Sequence, residues 1–321
     1  MIWGVTDNSF VLSMYIITMM TGLPGNLLSL YAFIRKVKQE VKLTDVLLLN
    51  LNISDLIFLI FLPILIKATA EMEWGMSSYL CPLATYIFLI NIYNSTLILT
   101  AVSVERYLGV IFAIKYKLNR HPRYAVITSV IIWVINLGHC SIVYYMQYNF
   151  SDGIKVGLDP INHNTCYWQF TEDQLKILLP ECLGISIVFI FVPLIICCFC
   201  YINIIRALYQ LDNIKPRKRC RAIGLAMSTL LIFMICSIPF GVSHVEGYII
   251  NSRPSWRVYA LVSSSISVSL DTIVFYCSSK ALRNTFMDHI PRLLMWLQHC
   301  CRCLFTDSDH TQHESTIFEN N

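Results

Sequence analysis

Charged and polar residues able to do chemistry stand at a few points in an otherwise apolar chain. Arg257 opens one hydrophobic run, while His244 and His139 close two others. A guanidinium fork can hold both oxygens of a carboxylate, and imidazole adds further donors. An anion entering a partly dry pocket needs a fixed cation of this kind. The competing readings are a snorkelling or loop-paired arginine and histidines with a structural role. A second group, Asn26, Asp55, Asn91, Ser95 and Asp271, lies inside apolar runs at depths that converge. Their oxygens suit a small hard cation such as sodium, or a water cluster; hydrogen bonding between helices is the alternative. No Ser/His/Asp set and no paired metal ligands recur at helical spacing, so neither an enzyme nor a firm metal site is expected.

The elements that position these residues are long apolar helices. The chain has 321 residues, 56% hydrophobic and 14% charged, with a mean hydropathy of +0.59. Soluble domains carry about 25% charged residues. A helix crossing a bilayer needs roughly 20 mainly apolar residues. Seven such runs occur, near 10–34, 43–67, 82–106, 123–147, 177–209, 222–250 and 256–278. The expected fold is therefore an all-α integral membrane protein, a seven-transmembrane helix bundle over 10–278. The N-terminus enters the first span without a basic start, so no cleavable signal peptide is expected. No duplicated halves are evident, which argues against a repeat-built transporter.

Charge sets the orientation. Nineteen of the 24 Lys and Arg fall between spans one and two, after span three, between spans five and six, and after span seven. The five others, Lys67, Lys155, Lys176, Arg253 and Arg257, share the opposite side. This bias predicts an extracellular N-terminus (1–9), a cytoplasmic C-terminus and a plasma-membrane location. The basic runs are short and adjoin spans, so anionic membrane lipid is their expected partner, not nucleic acid. Most of the 13 cysteines lie in apolar spans. Cys81 and Cys166 instead face the oxidising side, where a disulfide would pin the 148–175 loop over the bundle. Asn149-Phe150-Ser151 is an N-glycosylation acceptor on that side. The triplets at Asn52 and Asn94 fall within spans, out of reach of that modification.

At the inner end of span three stands Glu105-Arg106-Tyr107. Read with Asn26, Asp55, Cys81, Trp133, Pro193, Tyr201, Phe233 and Pro239 in their spans, it resembles the rhodopsin-like G-protein-coupled receptors over about 10–298. The resemblance implies a two-state bundle in which Arg106 pairs with Glu105 at rest and meets a heterotrimeric G protein when span six swings outward. Tyr107, Tyr201 and Pro239 belong to that switch. Pro193 and Pro239 remove backbone donors and give spans five and six a place to bend. The chain departs from the family pattern at Cys236, where many members have tryptophan, and at Thr272, where proline is usual. Arg219 stands where some members carry an acid. An opsin is excluded, because residues 256–278 contain no lysine to hold retinal.

Finer motifs narrow the resemblance. Gly138-His139-Cys140-Ser141-Ile142-Val143, Thr171-Glu172-Asp173-Gln174-Leu175, Leu179-Pro180, Ser243-His244-Val245-Glu246-Gly247-Tyr248 and Trp256-Arg257 look like the free fatty acid receptors, nearest the short-chain branch. This implies a small carboxylate ligand, such as a short-chain fatty acid, held by Arg257, His244, His139 and Tyr93. Two positions differ. Cys182 stands where the family has a second arginine, and Leu89 where the short-chain branch has a tyrosine. The alternatives are thus a divergent receptor for another ligand, or a non-signalling membrane partner or decoy.

Residues 279–298 read as an amphipathic cytoplasmic helix, with Leu282, Phe286, Ile290 and Leu297 on its apolar side. Cys300, Cys301 and Cys303 follow as candidates for palmitoylation in the tail 299–321. Thr306, Ser308, Thr311, Ser315 and Thr316 offer phosphorylation sites for receptor kinases and arrestin.

Overall fold

A computed structural model describes residues 5–37, 42–71, 76–77, 80–112, 116, 121–149, 172–210, 216–252 and 254–278. Seven helices are long and apolar enough to cross a membrane: Asn8–Lys36, Leu43–Glu71, Leu80–Ile111, Pro122–Ile142, Leu175–Gln210, Ile223–Ile249 and Arg257–Tyr276. They are spans one to seven below. The first helix begins at Val5, ahead of its apolar run, and the sixth at Pro216. Backbone hydrogen bonding continues into polar sequence, so helix ends and hydropathy edges need not coincide.

In lipid every backbone group must be satisfied within the segment, which is why these runs are helical. Span four shows the lipid side plainly, with Ile127, Val130, Ile131, Val134 and Ile135 exposed. Span three is the central pillar and has the most buried surface of the seven. Two apolar clusters fill the bundle. One holds Phe33, Leu47, Leu51, Leu99, Tyr201, Phe233 and Phe275. The other holds Tyr15, Phe58, Phe88, Tyr93, Phe189 and Phe240. Asp55 falls between Leu51 and Phe58, and Asp271 between Val268 and Val274. A buried polar layer therefore separates an outer and an inner apolar half.

Small residues let spans one and seven approach. A Cβ added at Gly25 would stand 2.5 Å from Thr272 Cγ2, so any side chain there would force Thr272 to move. Hydroxyls complete it: Thr21 and Ser269 are 2.7 Å apart, Thr18 and Ser265 3.4 Å. Such contacts hold membrane helices together where no hydrophobic effect drives them.

Spans five and six each carry one π-helical turn, Ile187–Phe191 and Phe233–Ser237. Each lies just before a proline, Pro193 or Pro239. A ring without an N–H cannot continue the i→i−4 ladder, and the preceding turn widens. Side chains from neighbouring spans take up the backbone oxygens there. Ser264 Oγ donates to the Cys236 carbonyl of the second turn at 2.6 Å, while Ser186 Oγ, just before the first turn, ties span five to the Gly241 carbonyl of span six at 3.0 Å. Span seven is interrupted after Ser265, giving helices Arg257–Ser265 and Ser267–Ser278.

Several expectations fall outside the described residues: Cys166, the 279–298 helix, Cys300, Cys301, Cys303 and the tail, and the side chain of Asn149. Cys81, buried at the head of span three, takes part in a disulfide.

Candidate ligand pocket and switch

Arg257 begins span seven and is half-buried. Its guanidinium Nη2 lies 3.0 Å from Nδ1 of His244, on span six. A guanidinium can only donate, so the imidazole accepts in this contact, in which Nδ1 is the nearer ring nitrogen and Nε2 stands at 3.5 Å. The guanidinium also stands 5.8 Å over the Phe240 ring, and Phe240 meets His244 edge-on at 4.5 Å. Tyr93 of span three lies beside Phe240 at 6.5 Å and Phe189 of span five at 5.7 Å. His139 of span four packs on Phe189 at 5.4 Å. The rings Phe240, Tyr93 and Phe189 thus form one aromatic floor, with Arg257 and His244 at one end and His139 at the other.

The Tyr93 hydroxyl is within electrostatic reach of Arg257, Cys140 and Cys182. Cys182 is buried, at 5% exposure, and is a free thiol. The sequence-derived quartet Arg257, His244, His139 and Tyr93 is therefore joined by one run of ring contacts through Phe240 and Phe189. Phe189 and Phe240 were not singled out in the sequence; among 17 phenylalanines nothing marks them. His139 has a partner that the sequence reading did not pair with it. Its Nδ1 lies 3.7 Å from Glu181 Oε1, while its Nε2 is buried without a hydrogen bond. Glu246, near the C-terminal end of span six, accepts from Trp256 Nε1 at 2.8 Å, next in the chain to Arg257.

The polar layer is built from three groups, of which the first and third share Ser54. Asn91 Nδ2 donates to Asp55 Oδ1 at 3.1 Å, and Ser95 Oγ to Asp271 Oδ2 at 3.1 Å. Asp55 and Asp271 lie within electrostatic reach of each other. Asn26 stands apart from them: it donates to the Val268 carbonyl at 3.0 Å and accepts from Asn52 at 2.8 Å. The sequence reading omitted a third group, in which Asn136 donates to Asn94 and Asn94 donates to Ser54 Oγ at 3.3 Å. Asp55 Oδ2, Asp271 Oδ1 and Asn91 Oδ1 are buried without a hydrogen bond. That is an oxygen-rich, acid-lined space of the type a monovalent or hard cation fits.

At the inner end of span three, Arg106 Nε is 4.0 Å from Glu105 Oε2. Thr44 Oγ1 of span two donates to the same carboxylate oxygen at 2.6 Å. Tyr107 packs against Phe199 of span five at 5.6 Å. Tyr201 donates to Thr229 at 3.1 Å, tying span five to span six. Glu105, Arg106, Tyr107 and Tyr201 thus lie where spans two, three, five and six come together, whereas Pro239 lies farther along span six, beside Phe240 of the other apolar cluster.

Comparison with known proteins agrees with this architecture. A model of the 7 transmembrane receptor (rhodopsin family) matches residues 25–284. Free fatty acid receptor 2 of Mus musculus is 40% identical over 281 residues, covering 87% of this chain and 84% of the relative. Free fatty acid receptor 3 of the same species is 39% identical over 283 residues, covering 88% and 87%. Free fatty acid receptor 1 of Mesocricetus auratus is more distant, 28% identical over 270 residues and covering 82% and 89%.

Proposed function

We propose, from the premise that this chain belongs to the free fatty acid receptors of the rhodopsin-like seven-transmembrane family, that it is activated by a small carboxylate bound at Arg257. As a member of that family it is a multi-pass plasma-membrane G-protein-coupled receptor and not an enzyme. The observation that carries the ligand reading is Arg257 itself. It is a half-buried guanidinium whose partners among the described residues are an imidazole and an aromatic face, not a carboxylate. A fixed cation without a counter-charge, above an apolar floor, favours an anion with a short hydrocarbon body. His244, Tyr93 and His139 complete the lining.

In this reading the N-terminus (1–9) is extracellular and the tail cytoplasmic, as the basic residues ask. The Cys81–Cys166 disulfide caps the pocket, Asn149 carries a glycan, and Cys300, Cys301 and Cys303 anchor the 279–298 helix to inner-leaflet lipid. Arg106, Tyr107, Tyr201 and Pro239 transmit opening of span six to the G protein, and phosphorylation of the 299–321 tail recruits arrestin. Retention of Arg106 and Tyr201 makes the decoy reading the weaker one. The test is a panel of straight-chain acids, from acetate to hexanoate, on cells expressing the full chain, with G-protein activation as readout. Arg106→Ala should abolish activation at unchanged surface level; activation that persists at full size removes Arg106 from the switch.

The acid-lined layer at Asp55, Asn91, Ser95 and Asp271 is proposed to take a sodium ion, with Asn26 holding the adjacent helices in register. A bound sodium ion would offset one of the two carboxylate charges that otherwise face each other in a dry interior. Exchanging sodium for a large organic cation in the assay buffer should then shift agonist potency. A dose-response curve that does not move argues for hydrogen bonding alone.

A further inference from the structure

Two ends of the same aromatic floor carry different charge. At one end Arg257 is a permanent cation, and its His244 partner accepts from it. At the other end His139 faces Glu181 at 3.7 Å. Counting charge there leaves little choice. With His139 neutral the pair is −1; with His139 protonated it is zero. Glu181 thus prevents His139 from serving as a second net cation, and the neighbouring Cys182 supplies none. A ligand lying along Phe240, Tyr93 and Phe189 meets a positive group at one end and a neutral-to-negative one at the other.

The side chain of Glu181 is 39% exposed, although the residue lies within span five, Leu175–Gln210. A carboxylate exposed to hydrocarbon at that position is expensive, so its free surface belongs to the water-filled mouth of the bundle. His139 Nε2, buried and without a hydrogen bond, is a second unused polar atom at this end. Cys140 and Cys182, both buried, lie within electrostatic reach of Tyr93. An apolar methyl terminus would leave Glu181 and His139 unanswered.

We infer that the pocket is bipolar and that its preferred ligand is a carboxylate bearing an ammonium or another hydrogen-bond donor at its far end. The carboxylate sits on Arg257 and His244, and the donor reaches Glu181 and His139. This rests on the carboxylate reading above and adds the identity of the other terminus. Dicarboxylates of the same length are disfavoured, because their second charge meets Glu181.

The experiment uses the full chain in cells and three matched sets: butanoate, pentanoate and hexanoate, each with its ω-amino and its ω-carboxy counterpart. At the length that spans the floor, the ω-amino acid should exceed the plain acid in potency by about fivefold, the size of a partly exposed ion pair. The dicarboxylate should fall below the plain acid. Glu181→Gln, with surface level measured by an N-terminal epitope, should bring the ω-amino to plain ratio down to about one and raise the dicarboxylate. Plain acids that act with no preference between termini, or an ω-amino preference that survives Glu181→Gln, overturn the bipolar pocket and leave the carboxylate reading standing. Failure of every acid at every length overturns the carboxylate reading and the bipolar pocket with it.

Discussion

Replacing Arg257 with alanine is expected to abolish the response to every short carboxylate while the protein still reaches the cell surface. The physical case is one of charge and hydration. A carboxylate gives up water to enter the pocket and recovers that cost only from a cation with directed donors. A charge-assisted hydrogen bond contributes about 1.5–3 kcal/mol, and a bidentate arginine makes two. Losing the fork therefore costs on the order of 100-fold or more in affinity. A short acid has too few other atoms to make up the difference. Folding should survive, because Arg257 is half-buried at the head of a helix and has no carboxylate partner among the described residues to leave uncompensated. The measurement is a dose-response from acetate to butyrate with surface expression read in parallel. Curves that match those of the unmodified receptor would sink the pocket assignment.

Cys182→Arg should act in the opposite direction, restoring the second arginine that the family resemblance leads one to expect. Cys182 is buried, follows Glu181 in the chain and lies within electrostatic reach of Tyr93. A second charged contact to the ligand offers roughly 1.5–3 kcal/mol. Against this stands the extra volume of a guanidinium in a closed site, which costs about 1–3 kcal/mol when the surroundings must move, and the pull of Glu181 on the new charge. The net expectation is a gain near tenfold in potency for plain short-chain acids, at the low end of what the contact alone would supply. Combining Cys182→Arg with Glu181→Gln should release more of that gain. Normal surface level with no increase in potency, in either form, would show that position 182 does not see the ligand.

Much of the bundle is legible in the chain because the bilayer imposes simple rules. Length and hydropathy set the spans, and the asymmetry of Lys and Arg sets the expected orientation. The in-span polar residues announce themselves, since each is costly unless partnered. Asp55, Asn91, Ser95 and Asp271 do converge. Asn26 does not join them directly, because its side chain is used up by Val268 and Asn52. The π-helical turns were not foreseeable as such: the prolines mark a break, but whether the ladder widens, kinks or stops depends on which neighbour satisfies the freed oxygens.

Arg257 and His244 could be named from the chain alone, as could Cys182 as a departure. The charge of the pocket could not. In sequence His139 reads as one more donor for an anion, and nothing pairs it with Glu181. Only the packing of span four against span five brings their side chains to 3.7 Å and changes that meaning. Sequence carries the charge of each residue and, through hydropathy, its depth in the membrane. Rotation of one helix against the next is a property of packed surfaces, and that rotation decides which charges meet.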